Sequence, residues 1–297
     1  MHPVNEDRVV NAGLLGDALT AVLKWIVAII SRSASMFAEA LHSTADCASG
    51  VSLKIGIYRS RRPADDEHPF GSGKEMFLWA LAANLIMFFL IALYAIYGGI
   101  VRMLNPRGVE HFWLAISVLA AGFAFNLYSL RIGIKESRKG DGNGVISLIR
   151  TSQAQGAKTT MIEDIVGLAG IVIAAVSITL SQYIRVIDGA GSVAVGVLLA
   201  GFALYLGKQN HELLVGKGLG KATQRDIIGL AESMDEVKKV RKLKSMILAT
   251  DNVLVNMEIN FVDGLSTDSI ERAIDKIESA IRENYPEVGE LYIEPES

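Results

Sequence analysis

The chain has 297 residues, of which 51% are hydrophobic, and its mean hydropathy is +0.34. This composition is typical of integral membrane proteins and too apolar for an ordinary soluble domain of this length. The formal net charge is −3 and no stretch interleaves basic with aromatic residues, so we expect no nucleic-acid binding.

Six apolar windows are long enough to cross a bilayer, which requires about 20 residues for about 30 Å of hydrocarbon. The first ten residues are polar and carry no cleavage signal, so we expect the first window to be a retained span. The predicted spans are Ala12–Ile30, Ala34–Tyr58, Phe77–Val101, Phe112–Ile134, Met161–Gln182 and Gly189–Leu206.

Lysine and arginine are distributed unequally over the segments that connect these windows. Most of them lie in 59–74, in 135–158 and after Lys208, whereas the opposite turns hold few. The positive-inside rule therefore places both termini in the cytoplasm. We expect a multi-pass protein of the cell inner or plasma membrane.

The chain after Leu206 is charged and has no further long apolar run, which predicts domains at 1–207 and 208–297. The periodicity of the second domain predicts the order helix, strand, strand, helix, strand. The predicted elements are Gln224–Met234, Val240–Ala249, Val253–Val262, Ser266–Glu283 and Leu291–Ile293. Because so small a sheet is marginal alone, we expect the domain to dimerise.

The second predicted span carries His42 and Asp46. An ionisable side chain at the centre of a membrane helix costs roughly 2.5–3.5 kcal/mol or more and is normally retained for function. The i, i+4 spacing places both groups on one helix face, within reach of a single cation. The alternative is an internal His-Asp hydrogen bond that holds helices together.

The fifth span opens with a second polar group formed by Thr160, Glu163 and Asp164. If this helix packs against the second span, the two groups supply nitrogen and oxygen ligands suited to Zn, Co, Ni, Fe or Mn. The alternative is a solvated helix start, where the helix dipole favours acidic residues.

Other polar residues in the spans have simpler interpretations. Asp17 and Lys24, seven residues apart in the first span, form a polar seam or the snorkelling end of a helix. Asp188, at the start of the sixth span, supplies negative charge to the N-terminus of its own helix.

Five motifs are distributed along the chain: Ala40-Leu41-His42-Ser43 with Asp46, the loop from Pro63 to Gly71, Asp164, Asp188-Gly189, and Tyr292-Ile293-Glu294-Pro295. With these motifs the chain resembles the cation diffusion facilitators over nearly its whole length. The resemblance is greatest to the branch related to the ninth human zinc-transporter type, which also bears a Glu-Asp pair in span five.

The resemblance implies an α-helical membrane protein, homodimeric, with six spans and a cytosolic α+β ferredoxin-like domain. It also implies a metal exporter that exchanges metal for protons by alternating access. The metal ligands it implies are His42, Asp46 and Asp164, with Thr160 where many zinc members have histidine. Either Glu163 or water then completes the coordination sphere.

The resemblance also suggests an accessory metal site in the loop after span two. Asp65 and His68 match that site, but Ser72 stands where a second histidine would be. The second domain has no His or Cys after His211, so any metal site there would use carboxylates alone.

The expected function is therefore efflux of a divalent metal, with zinc as the first candidate and Mn, Fe, Co or Ni as others. The expected partners are metal ions, protons, the lipid bilayer and a second copy of the chain. A membrane metalloenzyme is disfavoured because the spans contain no His-Glu-x-x-His and no Ser-His or Cys-His arrangement. A metal sensor or scaffold of the same fold without transport stays open as the alternative.

Overall fold

The computed structural model of the protein describes residues 6–137 and 155–296, without the side chains of 6–15, 87, 133, 135–137 and 155–161. The chain divides into two compact units. The first contains residues up to Gly56 together with Trp79–Gln209, and the second contains Ile57–Leu78 together with the chain from Asn210 onward.

Long helices make up the first part of the chain. In chain order they are α1 (Glu6–Ser31), α2 (Ala34–Ser60), α3 (Glu75–Ala83), a π-helical turn (Asn84–Phe88), α4 (Phe89–Leu104), α5 (Phe112–Ser137), α6 (Gln155–Ser181) and α7 (Val186–Val215). The π-helical turn joins α3 and α4 into one continuous rod.

Four described segments are long and apolar enough to span a membrane: Glu75–Leu104, Phe112–Ile132, Ile162–Ser181 and Val186–Val215. They correspond to the last four predicted windows. The helix α2 falls below this threshold because charged and hydroxyl residues recur along it, among them Glu39, His42 and Asp46.

Helix α2 lies between two apolar clusters of the first unit. Its residues Met36 and Ala40 pack with buried residues of α1, α5 and α6. Its residues Ala38 and Ala45 pack with buried residues of α4 and α7 and with the start of α6. The side chains of Glu39 and His42 are therefore held inside a helical bundle.

Asp188 joins three helices through its buried carboxylate. It accepts hydrogen bonds from Ser33 Oγ at 2.5 Å, from the backbone N–H of Ala34 at 2.8 Å and of Ser35 at 3.1 Å, and from Arg102 Nε at 3.1 Å. Asp188 itself lies in the first turn of α7. It binds the first N–H groups of α2 and the guanidinium at the end of α4, and so connects the three helices.

The second unit contains α8 (Lys221–Glu232), β1 (Val237–Ala249), β2 (Asn252–Phe261), α9 (Thr267–Asn284) and β3 (Val288–Glu296), in the predicted order. The sheet order is β1-β2-β3, with β1 antiparallel and β3 parallel to β2. A parallel neighbour requires a crossover, which α9 supplies.

The core of this sheet forms on one face. Alternate residues of β2 are buried, and they pack with Ile227 of α8 and with Ile277 and Ile281 of α9. Helix α9 begins after Ser266, whose side chain accepts a hydrogen bond from the N–H of Ser269. The other face of the sheet remains free of these helices.

The second unit also includes the ends of α2 and α7 and the start of α3. Met76, Phe77 and Leu213 form a small apolar cluster against Ile57 and Ile247. The ammonium of Lys74 donates a hydrogen bond to the carbonyl oxygen of Leu214 at 3.4 Å.

Candidate metal centre

His42 and Asp46 face each other on α2, as their spacing predicts. His42 Nε2 lies 3.6 Å from Asp46 Oδ1, and the His42 side chain is 4% exposed against 36% for Asp46. The distance exceeds that of a hydrogen bond, so in this structure the two groups are not the hydrogen-bonded pair of the alternative interpretation. A ring nitrogen and a carboxylate oxygen therefore point toward the same space.

Helix α6 approaches this face through two glycines. A Cβ atom added at Gly167 would lie 3.7 Å from His42 Cε1, and one added at Gly170 would lie 3.6 Å from His42 Nδ1. Small residues one turn apart let membrane helices approach closely. The sequence contains this signal as two glycines three residues apart, Gly167 and Gly170.

Helices α2 and α6 run in opposite directions, and this determines which residue of α6 lies next to Asp46. Residues 36 and 40 of α2 share a cluster with 171–178 of α6, whereas residues 41 and 45 share one with 162 and 166. Asp46 is one turn after His42, and Glu163 is one turn before Gly167. Glu163 and Asp46 therefore lie at the same level of the bundle, where they interact electrostatically.

Asp164 is held by a neighbouring helix. Ser129 Oγ of α5 donates a hydrogen bond to Asp164 Oδ2 at 3.0 Å. Asp17 of α1 also interacts electrostatically with Asp46 and Asp164. Three helices thus bring carboxylates to this region.

The cluster is completed by an ion pair that the sequence did not predict. Lys24 Nζ lies 2.9 Å from Glu39 Oε2, and the two side chains are 4% and 0% exposed. Lys24 therefore pairs with Glu39 of α2, a partner that the predicted polar seam of α1 did not include. The pair could not be recognised from spacing, because its members belong to different helices.

The side chain of Thr160 lies outside the described residues, although its backbone belongs to α6. Within the described part of the chain, no group of three or more His, Cys, Asp or Glu is close enough to hold a metal ion. The predicted ligands His42, Asp46, Glu163 and Asp164 thus lie in one region without forming a closed coordination sphere.

The loop residues Asp65 and His68 are close together in the second unit. His68 Nδ1 lies 3.1 Å from Asp65 Oδ1, which also accepts hydrogen bonds from the backbone N–H groups of His68 and Glu67. The His68 N–H bond, followed by the His68 side chain, lowers the pKa of the Asp65 carboxyl. These contacts describe an Asx turn at an exposed site.

The chemistry of the bundle site follows from its composition. A neutral imidazole and ionised carboxylates bind first-row divalent cations, and protons compete for the same atoms. The His42 side chain is buried in apolar surroundings, where its interaction with a cation is stronger than in water. A cation held by these side chains would therefore compete with protons, which is the requirement for exchange.

Comparison with protein families matches the chain to two domains. Residues 10–215 match the cation efflux transmembrane domain, and residues 219–297 match the cytoplasmic domain of cation efflux proteins. The two matches meet at the end of α7.

Individual relatives point to the same kind of protein. The chain is 27% identical to the mitochondrial proton-coupled zinc antiporter SLC30A9 of Xenopus laevis over 93% of its length, and 26% identical to that of Homo sapiens over 86%. It spans about half of these relatives, 51% and 46% respectively. It is also 19% identical to the manganese efflux system protein MneP of Bacillus subtilis, over 80% of this chain and 78% of that protein.

Proposed function

Because the chain belongs to the cation efflux family, we propose that it carries a divalent metal cation across a membrane in exchange for protons. The observation that carries this proposal is that His42 Nε2 and Asp46 Oδ1 lie 3.6 Å apart inside an apolar bundle. Glu163 of α6 lies at the same height in the bundle and interacts electrostatically with Asp46. The chain acts as a transporter and not as an enzyme.

The proposed cycle uses the competition between metal and protons. On the cytoplasmic side, His42 and the ionised carboxylates of Asp46, Glu163 and Asp164 bind the cation. On the opposite side, protonation of the same atoms releases it. Exposure alternates because the helices that carry the ligands move against each other.

Zinc is the first candidate substrate, since the SLC30A9 relatives are zinc antiporters. Manganese is the second, because MneP is a manganese efflux protein. Thr160 bears on this choice: a hydroxyl is a weaker zinc ligand than an imidazole and suits harder ions better. Iron, cobalt and nickel also suit a site of one imidazole and several carboxylates.

The proposed architecture has six spans, with α1 and α2 as the first two. Helix α2 shares apolar clusters with all four segments that qualify by composition, and α1 shares one with Phe112–Ile132 and Ile162–Ser181. Residues 1–207 form the transport domain and 208–297 a ferredoxin-like cytosolic domain. Both termini are cytoplasmic, in an inner or plasma membrane.

We further propose that the chain is a homodimer. The helices α8 and α9 cover one face of a sheet of only three described strands, and the other face offers a surface to a second copy. A domain this small gains stability from such an interface.

A metal sensor or scaffold of the same fold is the second candidate. It is favoured by Thr160 and Ser72, which stand where the resemblance leads one to expect metal-binding histidines. A sensor would bind metal and release protons without moving the ion.

Metal uptake into proteoliposomes under a pH gradient tests the proposal. Zn, Mn, Fe, Co, Ni and Cd are compared, first for the unaltered chain and then for Thr160→His. Transport of at least one ion is expected, with a shift toward zinc in Thr160→His. Metal-dependent proton release with no uptake of any ion would support the sensor instead.

A further inference from the structure

The ion pair between Lys24 and Glu39 is the most deeply buried pair of charges beside the candidate metal centre. Its side chains are 4% and 0% exposed, and the atoms that join them are 2.9 Å apart. Removing two charges from water is unfavourable, and a hydrophobic pair of similar volume is often no less stable. Stability alone therefore does not explain why the chain retains this pair.

Only one oxygen of Glu39 is used by Lys24. The other, Oε1, is buried and has no hydrogen-bond partner among the described residues. His42 Nδ1 lies 3.9 Å from it, which is beyond hydrogen-bond distance. A buried carboxylate oxygen without a hydrogen-bond partner is unfavourable. A hydrogen bond from a donor that moved closer to Glu39 Oε1 would therefore be favourable.

Gly170 provides the space in which this oxygen and the imidazole meet. A Cβ atom at Gly170 would lie 2.6 Å from Glu39 Oε1 and 3.6 Å from His42 Nδ1. Any larger residue would fill the gap. Because Gly170 has no side chain, there is room for the Glu39 carboxylate and the His42 imidazole to lie next to each other.

The two ring nitrogens of His42 consequently have different neighbours. Nε2 faces Asp46 Oδ1 at 3.6 Å, whereas Nδ1 faces Glu39 Oε1 at 3.9 Å. A histidine that binds a metal through one nitrogen usually donates the N–H of the other to a carboxylate or carbonyl oxygen. This bond fixes both the ring orientation and the tautomer.

We propose that Glu39 is a positioning residue for His42: it accepts the Nδ1–H bond when Nε2 holds the metal, and Lys24 holds Glu39 in place. The inference rests on the proposed transport function. A movement of about 1 Å would bring Nδ1 and Oε1 to the distance of a charge-assisted hydrogen bond. Metal binding at Nε2 and closure of this bond then favour each other.

Two double variants separate hydrogen bonding from charge. Lys24→Met with Glu39→Gln removes both charges and keeps an amide oxygen that accepts from Nδ1–H. Lys24→Met with Glu39→Leu removes both charges and the acceptor. Neither variant leaves an unpaired buried charge, so both are expected to fold.

The readout is zinc affinity of the purified full chain, measured by competition with a fluorescent chelator. The Gln variant is expected within about threefold of the unaltered chain, and the Leu variant 10- to 100-fold weaker, as is typical when the partner of a metal-bound histidine is lost. Equal affinities of the two double variants would overturn the proposal.

Nitrogen NMR of histidine-labelled protein gives an independent test without these substitutions. With zinc bound, His42 is expected to carry its proton on Nδ1 and the metal on Nε2; the opposite assignment would overturn the proposal. A His42→Ala variant separates the two levels of inference. If it binds zinc as well as the unaltered chain, the proposed site itself is wrong, whereas loss of binding there with equal double variants rejects only the role of Glu39.

Discussion

Replacing Gly99 by alanine tests the packing of α4 against α7. The new Cβ atom would lie 2.7 Å from the carbonyl oxygen of Gly189 and 2.8 Å from the backbone nitrogen of Val193. Ordinary contact begins near 3.4 Å, so the two backbones must separate by about 0.7 Å. Backbone atoms cannot avoid the clash by changing rotamer, so overpacking is expected to cost about 1–3 kcal/mol.

The adjacent Gly98 is a matched control, since nothing lies within 4 Å of a Cβ added there. Thermal unfolding of the detergent-solubilised chain is the assay. Gly99→Ala is expected to lower the apparent Tm by about 3–10 °C and Gly98→Ala to leave it nearly unchanged. Equal Tm values for the two variants would show that α4 and α7 are not in backbone contact at Gly99.

Three further predictions concern other parts of the chain. Asp188→Ala should destabilise the first unit by about 3–5 kcal/mol because it leaves the largely buried guanidinium of Arg102 without its ion-pair partner, whereas Asp263→Ala, at an exposed ion pair, should leave the Tm unchanged. Ser266→Ala should cost about 1 kcal/mol through loss of the α9 cap, and hydrogen exchange at the first turn of α9 should rise; unchanged exchange would contradict the cap. The folded-state pKa of Asp65 is lowered, so the Asx turn should be intact above the ordinary carboxyl range and lost as the pH falls through that lowered pKa; an NMR titration in which Asp65 has its ordinary pKa would refute the turn.

Local sequence was sufficient for the elements whose signal lies within one segment. Helix α2 was predicted as Ala34–Tyr58 and extends from Ala34 to Ser60, and the two long strands of the second unit end within one residue of their predicted ends. The hydrophobic periods that indicate these elements need no information from the rest of the chain. The resemblance to a family of metal transporters was confirmed by both domain matches.

The features that sequence could not provide depend on contacts between helices. The span predicted as Phe77–Val101 contains the π-helical turn Asn84–Phe88, to which hydrophobic periodicity is insensitive. Lys24 and Glu39 are in separate helices, and Asp188 and Arg102 are 86 residues apart. Each pairing follows from how the helices pack, which a single sequence does not reveal.

In the candidate site, too, the features local to one helix could be predicted from the sequence, whereas those that depend on helix packing could not. Spacing correctly placed His42 and Asp46 on one face, because the i, i+4 relation is local to one helix. Whether Glu163 and Asp164 converge with His42 and Asp46 depends on the orientation of α6 relative to α2, which spacing along the chain does not determine. The roles of Glu163 and Asp164 as metal ligands stay predictions.

The most direct test of exchange is simultaneous recording of zinc and proton fluxes in proteoliposomes that contain the full chain, with one dye for each ion. Zinc entry is expected to be matched by proton exit, and both fluxes should be lost in Asp46→Ala and retained in the exposed control Asp263→Ala. Zinc entry without proton movement, or undiminished flux in Asp46→Ala, would contradict proton-coupled transport through this site.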